Sequence, residues 1–129
     1  MSKLRRLILG FKYALVGLEH ILRNEQNARI HLVVAVTVLV IGFIVGLTSE
    51  ELAAVFFAII IVFIAEVLNT AIERTLDLIE PEVNGKVAII KDMSAGAVLV
   101  AATGATIIGV VIFWPYMLQI IYQFNLFHR

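Results

Sequence analysis

The sequence contains no cysteine. That absence removes disulfide frameworks, cysteine-ligated metals and thiol nucleophiles. Only 2 prolines and 8 glycines occur in 129 residues, too few for a collagen-like or low-complexity chain. Neither sign of charge is in excess, since 10 Lys and Arg balance 10 Asp and Glu. Bulk charge therefore gives no reason to expect nucleic acid as a partner. Charged residues make up 16% of the chain, against about 25% in an ordinary soluble domain. What is present instead is apolar: 61% of residues are hydrophobic, with a mean hydropathy of +1.00. A soluble protein of 14.3 kDa has too little interior for that much apolar surface. Disorder needs the opposite composition, low in hydrophobicity and high in net charge. An integral membrane protein is the class that remains.

Three long apolar stretches carry that reading, at residues 32–47, from 52 past 65, and from 93 to about 116. A helical span needs about 20 mostly apolar residues to cross a hydrocarbon core of about 30 Å. The stretches are continuous rather than alternating, and three segments cannot close a barrel, so three helical spans are expected. Lys3, Arg5, Arg6, Lys12, Arg23 and Arg29 precede the first span. The segment joining the first two spans has no Lys or Arg, the next connection has Arg74, Lys86 and Lys91, and only Arg129 follows the third. Positively charged segments stay on the cytoplasmic side. The N-terminus and the second connection are therefore expected in the cytosol, with Trp114 and Tyr116 at the outer interface.

Residues 1–30 read differently. Leu4, Leu7, Ile8, Phe11, Leu15, Leu18 and Leu22 recur at spacings of one helical turn, with Arg5, Lys12, Glu19 and Arg23 between them. This pattern predicts an amphipathic helix with a basic face, lying in the headgroup plane. The expected fold is all-α and integral to the membrane: a surface helix at 1–30, spans at 31–48 and 52–79, a cytoplasmic loop at 80–91, a span at 92–117 and a tail at 118–129.

The second span carries acids that a membrane helix can hold only at a cost of about 2.5–3.5 kcal/mol each. Glu66, Asn69, Glu73 and Asp77 fall within an arc of about 80° on one helix face, and Thr70 flanks it. Fourteen residues separate Leu52 from Glu66, about 21 Å of helix, which puts Glu66 roughly 9 Å inside the cytoplasmic edge. Glu73 lies near that edge. Glu25 approaches it from the surface helix, and Lys91-Asp92 opens the third span there.

The chemistry open to this set is narrow. Glu25 and Glu73 at the water boundary can share a Mg²⁺, an ion that takes one or two carboxylates and completes its shell with phosphate and water. Lys91 can neutralise phosphate. Glu66 is placed to meet a lipid hydroxyl below the headgroups rather than bulk water, which suits a general base. Asn69, one turn away, can orient that base or the substrate. The set suits transfer of a phosphoryl group from a water-soluble donor to a lipid alcohol.

The string Glu66-Val67-Leu68-Asn69-Thr70-Ala71-Ile72-Glu73 has the form E-x-x-N-x-A-I-E. Lys91-Asp92 follows Asp77 at fourteen residues and opens an Ala/Gly-rich run, and Asn24-Glu25-Gln26-Asn27-Ala28-Arg29-Ile30-His31 lies upstream. In this order and spacing, over about residues 5–115, the chain resembles the small integral-membrane prokaryotic diacylglycerol kinases, a family that includes the undecaprenol kinases. The resemblance implies an ATP-dependent kinase of the bacterial cytoplasmic membrane, a homotrimer whose protomers each give a surface helix and three spans. It implies that Glu66 is the catalytic base and Asn69 its active-site asparagine. Glu25 and Glu73 become the metal and nucleotide carboxylates. Arg6 and Tyr13 match positions near nucleotide and lipid, and Asp77, Lys91 and Asp92 match nucleotide-side positions. The loop Glu82-Val83-Asn84 departs from the family's frequent Glu-Tyr-His, so only Glu82 is carried over as a nucleotide contact. Arg29-Ile30-His31 looks more like the undecaprenol branch. No G-x-x-x-x-G-K-[ST] or kinase-type glycine loop occurs, so ATP enters through the resemblance alone.

Blander readings stand beside these. Glu25 and Arg29 are spaced as a surface ion pair. Tyr13 and His31 suit a membrane interface. The rows Ala97, Ala101, Ala105, Gly109 and Gly42, Gly46 are packing surfaces. A different function, a small oligomeric transporter using Glu66 as a proton-coupled acid, wants that acid near midplane with access from both sides. Here the polar groups gather at one layer.

Overall fold

A computed structural model of the chain describes residues 2–82 and 84–127, with side chains as far as Asn125. Val83 of the expected nucleotide-side loop and Arg129 of the charge pattern lie outside the described residues. The described chain is all-helical: α1 Lys3–Asn24, α2 Gln26–Val45, α3 Ser49–Ile79 and α4 Gly85–Phe127. Three stretches, Gln26–Val45, Ser49–Ile79 and Gly85–Asn125, are long and apolar enough to cross a membrane.

The first helix starts at Ser2, whose hydroxyl accepts from the Arg5 N–H at 3.4 Å. It was expected to run to residue 30 but stops at Asn24. The Asn24 side chain turns back to donate to the His20 carbonyl at 2.7 Å, the local competition that ends helices at such residues. Glu25 is then extended, at φ −104° and ψ 122°, and α2 begins at Gln26, earlier than the apolar run alone suggests. Gln26, Asn27 and Arg29 are polar but tolerate a helix well enough to continue it below the span.

Gly46, at φ 78°, ends α2 in the left-handed region that only glycine enters freely. The Leu47 N–H then returns to the Gly42 carbonyl at 3.0 Å. A side chain at position 42 would meet Leu47 Cδ1 at 2.9 Å, so the Leu47 side chain would have to shift to admit one. Thr48 and Glu51 form a capping box that starts α3: the Glu51 N–H donates to Thr48 Oγ1 at 3.3 Å and the Thr48 N–H to Glu51 Oε2 at 2.8 Å.

The fourth helix starts nearer the 80–84 connection than the expected loop at 80–91. Asn84 supplies the start, accepting from the Lys86 N–H at 2.9 Å through its side chain and from the Ala88 N–H at 3.0 Å through its carbonyl. Lys91 and Asp92 therefore lie in its second turn rather than opening it. The segment expected as a tail from 118 is helical to Phe127. Pro115 sits inside the helix without ending it. At 43 residues α4 is about 64 Å long, and α3, with 31, about 46 Å.

Helices α3 and α4 pack along most of their length and run antiparallel, since Glu51 meets Tyr116, Asn69 meets Ser94 and Asp77 meets Lys91. Helix α2 packs on α3, and α1 touches the rest only lightly. Ala28, Leu47, Val55, Ala58 and Val62 are the buried apolar residues. No large side chain among those described is fully buried. Phe43, Ile44, Leu99 and Val100 face outward, which suits apolar surroundings rather than water.

Candidate active site

Below its apolar upper part, α3 turns polar inside the bundle. Glu66, Asn69 and Thr70 are buried there, and Ser94 of α4 faces them, also buried. Glu73 follows one turn below Asn69, half-buried. The Ser94 hydroxyl donates to Asn69 Oδ1 at 2.6 Å, and Asn69 Nδ2 donates to Glu73 Oε1 at 3.2 Å. Lys91, on the same face of α4 as Ser94, pairs with Asp77 at 2.5 Å.

Glu66 is only 3% exposed, yet its carboxylate receives no hydrogen bond among the described residues. His31, Glu73 and Glu25 lie within electrostatic reach of it. Glu25 arrives there from the extended break between α1 and α2. Arg74 holds it: Nη2 lies 2.6 Å and Nε 3.2 Å from Glu25 Oε1, while Nη1 reaches His20 Nε2 at 3.2 Å. The partner of Glu25 is thus Arg74, 49 residues away, rather than Arg29 of the alternative surface pair. The extended backbone at Glu25 takes the two residues out of the single helical register that pair requires.

Among the described residues no group of three or more His, Asp or Glu is placed to hold a metal on its own. The two carboxylates nevertheless keep acceptors free. Both Arg74 contacts fall on Glu25 Oε1 and the Asn69 contact on Glu73 Oε1, leaving Oε2 of each without a donor among the described residues. Free carboxylate oxygens are the ligand type that a hard cation takes alongside phosphate and water.

A family model described as prokaryotic diacylglycerol kinase matches residues 12–113. This chain belongs to that family. It is 40% identical over 114 residues to the undecaprenol kinase of Bacillus subtilis (strain 168), covering 88% of this chain and 93% of that protein. It is 34% identical over 115 residues to the diacylglycerol kinase of Synechocystis sp., covering 88% of this chain and 66% of that protein. With the diacylglycerol kinase of Haemophilus influenzae it shares 30% over 98 residues, 76% of this chain and 83% of that protein.

Of the residues marked out by resemblance to the prokaryotic diacylglycerol kinases, the structure gathers Glu66, Asn69, Glu73 and Glu25, and joins Asp77 to Lys91. The side chains of Arg6, Tyr13, Glu82 and Asp92 are exposed and form no hydrogen bond or ion pair among the described residues. Two side chains in the cluster, Ser94 and Arg74, were missed from sequence. Ser94 sits in an Ala/Gly-rich run that reads as a packing surface, although its spacing of three from Lys91 puts both on one face. Arg74 follows Glu73 but falls outside the polar arc of α3, so it counted only toward membrane orientation.

Proposed function

We propose that the protein is a lipid kinase that moves the γ-phosphoryl group of MgATP onto the hydroxyl of a membrane lipid alcohol, undecaprenol or diacylglycerol. The observation that carries this reading is Glu66, a residue 3% exposed on a membrane-length helix whose carboxylate takes no donor from the described residues. Intramembrane acids are costly, and one that supports no contact has its purpose elsewhere. Family membership and the names of the relatives support the reaction class, and the 40%-identical undecaprenol kinase favours the polyprenol.

In this reading the lipid hydroxyl lies against Glu66, which takes its proton as the hydroxyl oxygen attacks the γ-phosphorus. The bond from the γ-phosphorus to its bridging oxygen breaks, and ADP leaves. Glu25 and Glu73 would hold Mg²⁺. The ion, when bound, supplies positive charge to the phosphate oxygens. Asn69 keeps Glu73 in place from the neighbouring turn. Lys91, buttressed by Asp77, faces phosphate, with Asp92 and Glu82 on the nucleotide side. Arg6 and Tyr13 serve the nucleotide and lipid from α1.

Helix α1 lies in the cytosolic headgroup layer, where its apolar stripe leaves water; none of its residues is buried by its own chain. Three copies of the chain form the working unit in the bacterial cytoplasmic membrane, with the N-terminus and the site facing the cytosol. The outward apolar faces of α2 and α4 then meet lipid and neighbouring protomers.

The test is a thin-layer phosphorylation assay on the purified protein in lipid, with γ-labelled MgATP and either undecaprenol or diacylglycerol. Label in undecaprenyl phosphate, phosphatidic acid or both is the expected result. Label in neither lipid overturns the reading.

A further inference from the structure

We propose that Ser94 is a positioning residue, which holds the amide of Asn69 in place while it donates to Glu73. The argument is one of donor and acceptor count. A carboxylate oxygen accepts, so the Asn69 group that donates to Glu73 Oε1 at 3.2 Å is the NH₂. The Asn69 oxygen then faces α4, and the atom 2.6 Å from it is Ser94 Oγ. Two oxygens at that separation need a proton between them, and only the serine hydroxyl has one. Ser94 Oγ also lies 2.9 Å from the Lys91 carbonyl oxygen, but that carbonyl has its own place in the helix, and the shorter contact takes the proton.

The direction of the whole chain is thereby set. It runs from the Ser94 hydroxyl on α4, through the Asn69 amide on α3, to the Glu73 carboxylate. A flipped Asn69 would set its carbonyl against the carboxylate and its NH₂ against a hydroxyl turned towards Lys91. Ser94 thus satisfies the Asn69 oxygen in the one orientation that Glu73 requires, and so holds in place a residue that links the buried Glu66 turn to the half-buried Glu73 turn. Its burial shields this hydrogen bond from water, where a competing donor would weaken it. Alanine at this position fits the helix equally well but leaves the Asn69 oxygen without its partner.

This inference deepens the kinase reading and rests on it for its kinetic consequence, though not for its structural one. The experiment therefore reads both. Ser94→Ala, Ser94→Thr, Asn69→Ala and the Ser94→Ala/Asn69→Ala pair are prepared in lipid beside the unaltered protein. The chain has five asparagines, so ¹⁵N-asparagine labelling gives a small set of side-chain amide signals, and Asn69→Ala identifies the relevant pair.

In Ser94→Ala the Asn69 amide signals move and their hydrogen exchange quickens by about tenfold. The KM for MgATP rises about fivefold while kcat stays within about twofold. Ser94→Thr, which keeps the hydroxyl, restores both. The double variant is no worse than Asn69→Ala alone, because Ser94 acts through Asn69. An unmoved Asn69 amide overturns the proposal whatever the kinetics. A lowered melting temperature with an unchanged KM overturns it in favour of a purely structural hydroxyl. If the unaltered protein phosphorylates no lipid alcohol, the kinase reading falls, and the amide signals alone decide the role of Ser94.

Discussion

Glu51 and Glu66 lie on the same helix, fifteen residues apart, and are put to opposite uses. Glu51 works for the fold. Its Oε2 accepts from the Thr48 N–H at 2.8 Å and from the Tyr116 hydroxyl at 2.6 Å, so one oxygen closes the start of α3 and ties it to α4. Glu66 is more deeply buried and ties nothing among the described residues. An acid in an expensive location that takes no donor from its own chain fits the proposal that a group from outside meets it. The same contrast separates the two ends of the α3–α4 pair. One end spends its polar atoms on capping and cross-bracing. The other holds Glu25 and Glu73 by one oxygen each and leaves the second free.

The largest effect expected from this contrast is at Glu66. Glu66→Gln should lower the rate of γ-phosphoryl transfer by about 10²–10⁴-fold, the range for losing a general base. Thermal unfolding in the same lipid should be unchanged, because the carboxylate holds no contact for the amide to lose. Near-normal turnover in that variant would break the contrast at its centre.

Glu51→Ala should do the reverse. It removes the capping box and the Tyr116 bond together, and the melting temperature should fall by about 4 °C. Turnover below that temperature should stay within about twofold. A Glu51→Ala enzyme that melts normally but turns over slowly would mean that the two acids are not divided between fold and chemistry.

The smallest effect is expected at Arg74. Its pair with Glu25 is about half exposed, with side-chain exposures of 49% and 29%, and such pairs contribute about 0–1 kcal/mol. Arg74→Gln should barely move the melting temperature. Because Arg74 occupies one Glu25 oxygen, the variant should shift the Mg²⁺ concentration for half-maximal activity by a few-fold at low salt and less at high salt. A Mg²⁺ dependence that Arg74→Gln leaves unmoved would detach Glu25 from the ion.

Much of the fold was legible because its signals are local. Runs of apolar residues mark the three spans, and the 100° step of a helix puts Glu66, Asn69 and Glu73 on one face whatever packs against them. The break at Glu25 was not legible. No glycine or proline marks it; Asn24 makes it by bonding back to the His20 carbonyl. The early start of α4 depends similarly on Asn84, a capping residue that is indistinguishable in sequence from an ordinary loop asparagine. Ser94 and Arg74 escaped for another reason. Each matters through a residue 25 or 49 positions away, and periodicity within one helix carries no information about which neighbour it will meet.

The sequence by itself determined that this chain has three helices long and apolar enough to cross a membrane and that one of them carries a polar stripe near its end. Composition and helical pitch suffice for that, since both act over a few residues at a time. Tertiary structure alone decided which oxygen of each carboxylate is held and which is left open. That choice depends on where donors on other helices come to rest, and hydrogen bonds are too short and too directional for a residue list to place them.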